Sequence, residues 1–126
     1  MTITSRRNFG DLGEKLAARY LQNKNYEIVA KNFQNSSGRQ LGEIDIIARD
    51  GKEWVFVEVK TREMRKYANT LPEENITAGK LLKLAKIANI YLNKNNLQSA
   101  PYRFDALSVW IDVGEKKAKI KHIQSL

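Results

Sequence analysis

The chain has 126 residues, 42% of them hydrophobic and 29% charged, and a formal net charge of +8. That length suits one domain built on one core, and the composition excludes a disordered chain. The chain has no cysteine, which excludes disulfides and thiolate metal sites, and its single histidine, His122, near the C-terminus, argues against a histidine-based metal site or a Ser-His triad.

Residues 11–23 carry Leu12, Leu16, Ala17, Tyr20 and Leu21 at helical spacing and predict a first helix. Residues 26–32 predict a first strand, and Asn35, Ser36, Ser37 and Gly38 are turn chemistry. A second strand follows at 41–49. Asp50-Gly51 marks a hairpin into a third, at 54–61. The stretch 62–76 is polar. Thr77 is placed to cap a second helix that ends near residue 93, with Leu81, Leu84, Ala85, Ala88, Tyr91 and Leu92 as its buried stripe. Residues 103–111 and 118–123 predict two further strands. No repeat, low-complexity tract or linker divides 1–126, so the reading is one domain. The order predicts an α/β fold, a central mixed and mostly antiparallel sheet flanked by helices. No apolar run reaches the roughly 18 residues of a membrane span. Residues 1–10 lack the apolar centre of a secretory signal. The expectation is a cytoplasmic protein without membrane contact.

The strands carry charges where apolar residues are expected. Alternation puts Trp54, Phe56, Glu58 and Lys60 on one face and Val55, Val57 and Val59 on the other. Glu58 thus continues a buried face, where an unpaired carboxylate costs several kcal/mol or becomes neutral. Glu43 and Asp45 share a face among isoleucines in the same way. A hairpin centred on residues 50–52 sets Asp45 opposite about residue 57, close to Glu58. The spacing therefore permits two carboxylates and one ammonium at one point of the sheet. Two such carboxylates repel, and a divalent cation removes the penalty. With only oxygen ligands on offer, the cation is magnesium, manganese or calcium. Magnesium chemistry of this kind serves phosphodiester hydrolysis. The plainer alternative is a strand-end ion pair between Glu58 and Lys60, with Asp45 in a turn. Glu43 reads either as an outer hydrogen-bonding residue or as a strand charge without a role.

Asp45 followed by Glu58-Val59-Lys60 resembles the PD-(D/E)-x-K signature of the restriction-endonuclease-like superfamily, with Ile44 in place of the proline. The longer pattern includes Gly10-Asp11-Leu12-Gly13-Glu14, residues 42–48 around Asp45, residues 55–62 around Glu58, Lys80, and Arg103-Phe104-Asp105. Over nearly the whole chain it resembles the YraN-like uncharacterised protein family. It is also similar in layout to archaeal Holliday-junction resolvases. The resemblance implies a restriction-endonuclease-like core and a Mg2+ or Mn2+ ion held by Asp45, Glu58 and the Val59 carbonyl. It also implies Lys60 as the catalytic lysine and Glu14 as a further carboxylate from the first helix. Gly10 and Gly13 beside Glu14 permit close backbone approach.

The positive charge suits a polyanionic partner, most simply nucleic acid. Arg62, Arg65 and Lys66 follow the Glu-x-Lys directly, and Lys80, Lys83 and Lys86 recur along one side of the second helix. Arg6 and Arg7 precede the first helix. These read as phosphate contacts or as solvated surface, and Tyr67 as a base-stacking residue. His122 and Lys116, Lys117, Lys119 and Lys121 read as surface. Asp105 reads as a partner of Arg103 or as a support near the site. The expected function is a metal-dependent endonuclease on DNA or other nucleic acid, branched or single-stranded. The alternatives are a non-catalytic nucleic-acid-binding protein that kept the fold, and an interaction protein whose acidic cluster is structural. A four-way-junction substrate would call for a twofold homodimer.

Overall fold

The structure, a computed structural model, describes residues 6–34, 42–64 and 77–126, with the backbone alone for Arg6 and Arg7. Among the described residues, two helices and five strands follow one another as α1 (Arg6–Asn23), β1 (Glu27–Gln34), β2 (Glu43–Asp50), β3 (Glu53–Glu63), α2 (Ala78–Lys94), β4 (Tyr102–Asp112) and β5 (Lys117–Ile123). The sequence predicted every one of these elements. One correction concerns α1, which starts at Arg6 and so takes in Arg6 and Arg7. The predicted turn at 35–38, together with Arg65, Lys66 and Tyr67, lies outside the described residues.

The strands form one sheet in the order β1-β2-β3-β4-β5. Only β3 and β4 are parallel; the other neighbours are antiparallel. A parallel pair needs a crossover connection, and α2 supplies it. The two helices cover opposite faces. Ala17, Ala18 and Leu21 of α1 pack on Ile46, Val55, Val57, Val59, Leu107 and Val109. Leu84, Ile87, Ala88, Tyr91 and Leu92 of α2 pack on Ile44, Ile47 and Phe56. This α/β arrangement, a mixed five-stranded sheet between two helices, is that of a restriction-endonuclease-like core. Thr77 caps α2 as predicted, its hydroxyl accepting from the Lys80 N–H at 3.1 Å. The stripe of α2 differs in one respect. Ile87 is fully buried, while Leu81 and Ala85 are half-buried, because the helix meets the sheet along 84, 87, 88 and 91.

A second polar network ties the ends of the sheet together on the α1 side. Asp105 is fully buried. It accepts from Arg103 Nε at 3.0 Å and from the Ser125 N–H at 3.0 Å, and it meets His122 Nε2 at 2.7 Å. Arg103 also reaches Glu53 and the Tyr26 hydroxyl, at 2.5 and 2.6 Å. His122 is therefore a core residue, a correction to its reading as surface. Strand alternation turns it inward, edge-on to Tyr20 and Tyr26. The Asp105 carboxyl is lowered despite its burial, because His122, Arg103 and the Ser125 N–H all bind its charged form.

Gly13 sets how closely α1 approaches the sheet. A Cβ built there would lie 2.7 Å from both Cβ and Cγ2 of Thr61 on β3. Gly10 has nothing within 4 Å of such a Cβ, so the close approach expected of both glycines belongs to Gly13 alone. Gly13→Ala is expected to lower stability by about 1–3 kcal/mol through overpacking, read as a lower urea midpoint. An unchanged midpoint would mean that α1 can move off β3 freely.

Candidate active site

The site forms where β2 and β3 part. Their ladder runs from Asp50↔Glu53 to Ile46↔Val57 and goes no further. Beyond it β3 continues to Glu63 against β4 alone, and β2 continues to Glu43 against β1 alone. The Val59 N–H, beyond the end of the ladder, donates instead to Asp45 Oδ2 at 2.8 Å. Alternation fails at this level of β2. Ile44 and Ile47 both face the α2 core, while Ile46 faces the α1 core. On β1 the same level is held by Asn32, in the left-handed region at φ 54°. Asparagine tolerates that conformation better than most residues. The local twist releases Asp45 from either core and lets it fill the gap between the strands.

Four elements bring carboxylates and ammonium groups to this gap. Asp45 and Glu58 are buried, at 8% and 6% exposure. Glu14, from α1, stands one residue past the Gly13–Thr61 contact that holds the helix against β3. Carboxylate oxygens of Glu14, Glu43 and Asp45 lie within 4.8 Å of one another. Glu58 is not in that group. It holds Lys60 Nζ at 3.3 Å and Lys80 Nζ at 2.5 Å. An open cleft of about 550 Å³ gives access to the site; Gly42, Glu43, Asp45, Glu58, Lys80 and Lys83 are among its lining residues.

The protonation states follow from these contacts. Burial, then the Glu58 charge, push the Asp45 carboxyl up to about 8, against the pull of the Val59 N–H. Glu14 is also raised, by burial and then by Glu43 and Asp11, while its hydrogen bond from Asn32 acts the other way. Lys60 is lowered, by burial and by its contact with Lys80, although Glu58 opposes this. Burial would lower Lys80 too, but its bonds to Glu58 and Lys60 outweigh it and raise it.

Of the residues singled out in the sequence, Glu14, Asp45, Glu58, Val59 and Lys60 meet at one place. Glu43 joins them, which decides its open reading in favour of proximity to the site. Lys80 was expected on a nucleic acid; here it is bound to Glu58 inside the cleft. Lys83 lines the cleft and is exposed, and Lys86 is exposed away from it. Arg62 follows Lys60 on the same face of β3, level with Trp110. Asp105 and Arg103 stand on the opposite face, so Asp105 supports the sheet and not the site. Asn32 was missed, and its sequence signal is weak: an asparagine inside a predicted strand.

The model of the uncharacterised protein family UPF0102 matches residues 13–109. The chain belongs to this family. Among similar members, a UPF0102 protein of Moorella thermoacetica is 38% identical over 124 residues, 98% of each chain. One of Symbiobacterium thermophilum is 44% identical over 103 residues, 82% of each. One of Clostridioides difficile is 39% identical over 116 residues, 92% of this chain and 93% of that protein. The match to UPF0102, the YraN family, bears out the resemblance drawn from the motifs.

Asp45 makes stability depend on pH. Its folded value of about 8 lies above the ordinary 3.8, so the folded state holds the proton more tightly than the unfolded one. The stabilisation is complete below about pH 4 and is lost as pH rises through about 8. Glu14 acts in the same direction. In EDTA the melting temperature is expected to fall across this window, and to fall less in Asp45→Asn. Parallel pH profiles for the two proteins would contradict the assignment.

Proposed function

We propose that this protein is a metal-dependent nuclease that hydrolyses phosphodiester bonds of nucleic acid, with branched or single-stranded DNA as the substrate class. The observation that carries the reading is the meeting of Asp45, Glu58 and Lys60 at the parting of β2 and β3. Asp45 and Glu58-Val59-Lys60 stand in the order of the PD-(D/E)-x-K signature.

The donor set fits a hard divalent cation such as Mg2+ or Mn2+. Three carboxylates lie within 4.8 Å of one another, and the carboxyl of Asp45, one of the three, is pushed up to about 8 by burial and then by the charge of Glu58. Asp45, Glu58 and the Val59 carbonyl would hold the ion, with Glu14 and Glu43 as nearby donors. When bound, the ion would polarise a phosphoryl oxygen and lower the pKa of water.

The chain's own residues supply the rest. Lys60, with its lowered pKa, can take a proton from an attacking water or, when charged, face the negative charge that develops on the phosphate. Glu58 orients Lys60, and Lys80 holds Glu58. Lys83, which lines the cleft, and Arg62, which follows Lys60 on the same face of β3, serve as phosphate contacts, and Arg65 and Lys66 follow Arg62 in sequence. The net charge of +8 favours the approach of a polyanion.

The Lys80–Glu58 pair also supports a second reading, a nucleic-acid-binding protein without turnover. An internal cation there answers a carboxylate that a metal would otherwise use.

Cleavage assays on branched, single-stranded and duplex DNA with Mg2+ or Mn2+ separate the two. Catalysis predicts cleavage that EDTA abolishes and that Asp45→Asn and Lys60→Ala each slow by at least about a hundredfold. No cleavage of any substrate, or cleavage that survives both substitutions, would end that reading. Salt-sensitive binding that is indifferent to EDTA and unaccompanied by cleavage would establish the second.

A further inference from the structure

Strand β5 carries lysines at 117, 119 and 121, alternating with Ala118, Ile120 and His122. Ile120 packs on the α1-side core, and His122 is held by Asp105 on that same side. The pleat therefore turns the three lysines to the other face, the one that carries Glu58 and Lys60.

The ladders set these lysines level with the site. Lys60 pairs with Ser108, and Ser108 with Lys121. Arg62 pairs with Trp110, and Trp110 with Lys119. Two adjacent rows across β3, β4 and β5 thus each carry a cation at both ends. Strand spacing puts the two ends of a row roughly 10 Å apart, and the rows about 7 Å apart along the strands. That row spacing suits successive phosphates of one strand.

Three features mark this face as more than a solvated strand. First, Lys119 and Lys121 are exposed and have no ion-pair partner among the described residues, whereas Lys117 in the next row meets Glu115 at 3.4 Å. Second, the apolar cluster under α2 takes Trp54, Phe56 and Phe104 but nothing from the rows of Ser108 and Trp110. Third, Ser108 is buried between Lys60 and Lys121, and among the described residues its hydroxyl has no hydrogen-bond partner. Lysines on an edge strand also deter strand-to-strand aggregation. That role does not require them to continue the rows of Lys60 and Arg62.

We propose that Lys119 and Lys121 form a phosphate-binding margin at the β5 edge of the sheet, level with the Asp45–Glu58–Lys60 site, for a nucleic-acid backbone that passes above the buried side chains of Ser108 and Trp110 without touching them. The proposal rests on the nucleic-acid reading of that site and extends it to a strand read from sequence as plain surface. The margin touches only phosphates, so it adds affinity without sequence preference.

The test is the double variant Lys119→Gln/Lys121→Gln, with Lys31→Gln/Lys52→Gln as a charge-matched control far from these rows. Binding of fluorescein-labelled single-stranded and duplex oligonucleotides is followed by anisotropy in EDTA across a salt series. Cleavage of bis(p-nitrophenyl) phosphate, too small to reach β5, is followed with Mn2+. The double variant is expected to bind about tenfold more weakly, with a salt slope shallower by about 1 per lysine. Its rate on the small substrate should equal that of the wild type, and the control should bind as the wild type does.

Unchanged binding and slope in the double variant, or an equal loss in the control, would overturn the margin while leaving wild-type cleavage intact. A wild type that binds but never cleaves, with binding lost in the double variant, would overturn the nuclease reading and support the margin. A wild type that binds no oligonucleotide would overturn both.

Discussion

The hydrogen bond from the Val59 N–H to Asp45 Oδ2 is the contact on which the site depends. Two paired strands normally satisfy one another's backbone groups along their whole length. Here β2 and β3 separate after Ile46↔Val57, and a buried N–H left unpaired at that point would cost on the order of 1–3 kcal/mol. A side-chain carboxylate takes the place of the missing carbonyl. The sheet can then open without losing a bond, and the opening is what admits Glu14 from one helix and Lys80 from the other. Asp45 closes a structural gap and also lines the cleft.

Charge is divided unevenly around the opening. Glu14, Glu43 and Asp45 gather on one side, with no ion pair to a lysine among the described residues. Glu58 stands on the other with two. In the first group, burial and then the charge of Glu58 raise the Asp45 carboxyl, and its neighbours Glu14 and Glu43 add to the effect. The second group sets two lysines against one carboxylate. Part of this constellation is therefore already neutralised by the chain itself, and the remaining part asks for positive charge from outside.

Periodicity made the helices and strands legible in the sequence, because each element buries one face or both. It also placed the charges of β3 on the face of Trp54 and Phe56, which the structure sets against α2. The turn at Asp50-Gly51 was legible in kind but not to the half residue. The observed Asp50↔Glu53 pair centres it on Gly51 and Lys52, and this brings Asp45 level with Glu58 instead of residue 57. The broken alternation at Asp45 was not legible, since a local twist leaves no periodic trace beyond an asparagine at 32. The pairing of Lys80 with Glu58 was also hidden. It depends on how α2 lies over the sheet, whereas the sequence displays only a row of lysines at helical spacing. His122 was misread for a related reason: a lone histidine among lysines looks exposed until the pleat of β5 is known.

The Asp105 network has a consequence for how the chain can be divided. The segment matched by the family model ends at residue 109, inside β4, and contains Arg103 and Asp105. It does not contain His122 or Ser125, two of the groups that satisfy Asp105, nor Leu126, whose N–H donates to the Phe104 carbonyl at 2.8 Å. A fragment cut at that boundary would leave a charged side chain of the core half-answered and one edge of β4 bare. The stretch that the family model matches and the stretch that folds as a unit are thus different lengths of chain, and the second, over which the Moorella thermoacetica relative also aligns, is the longer.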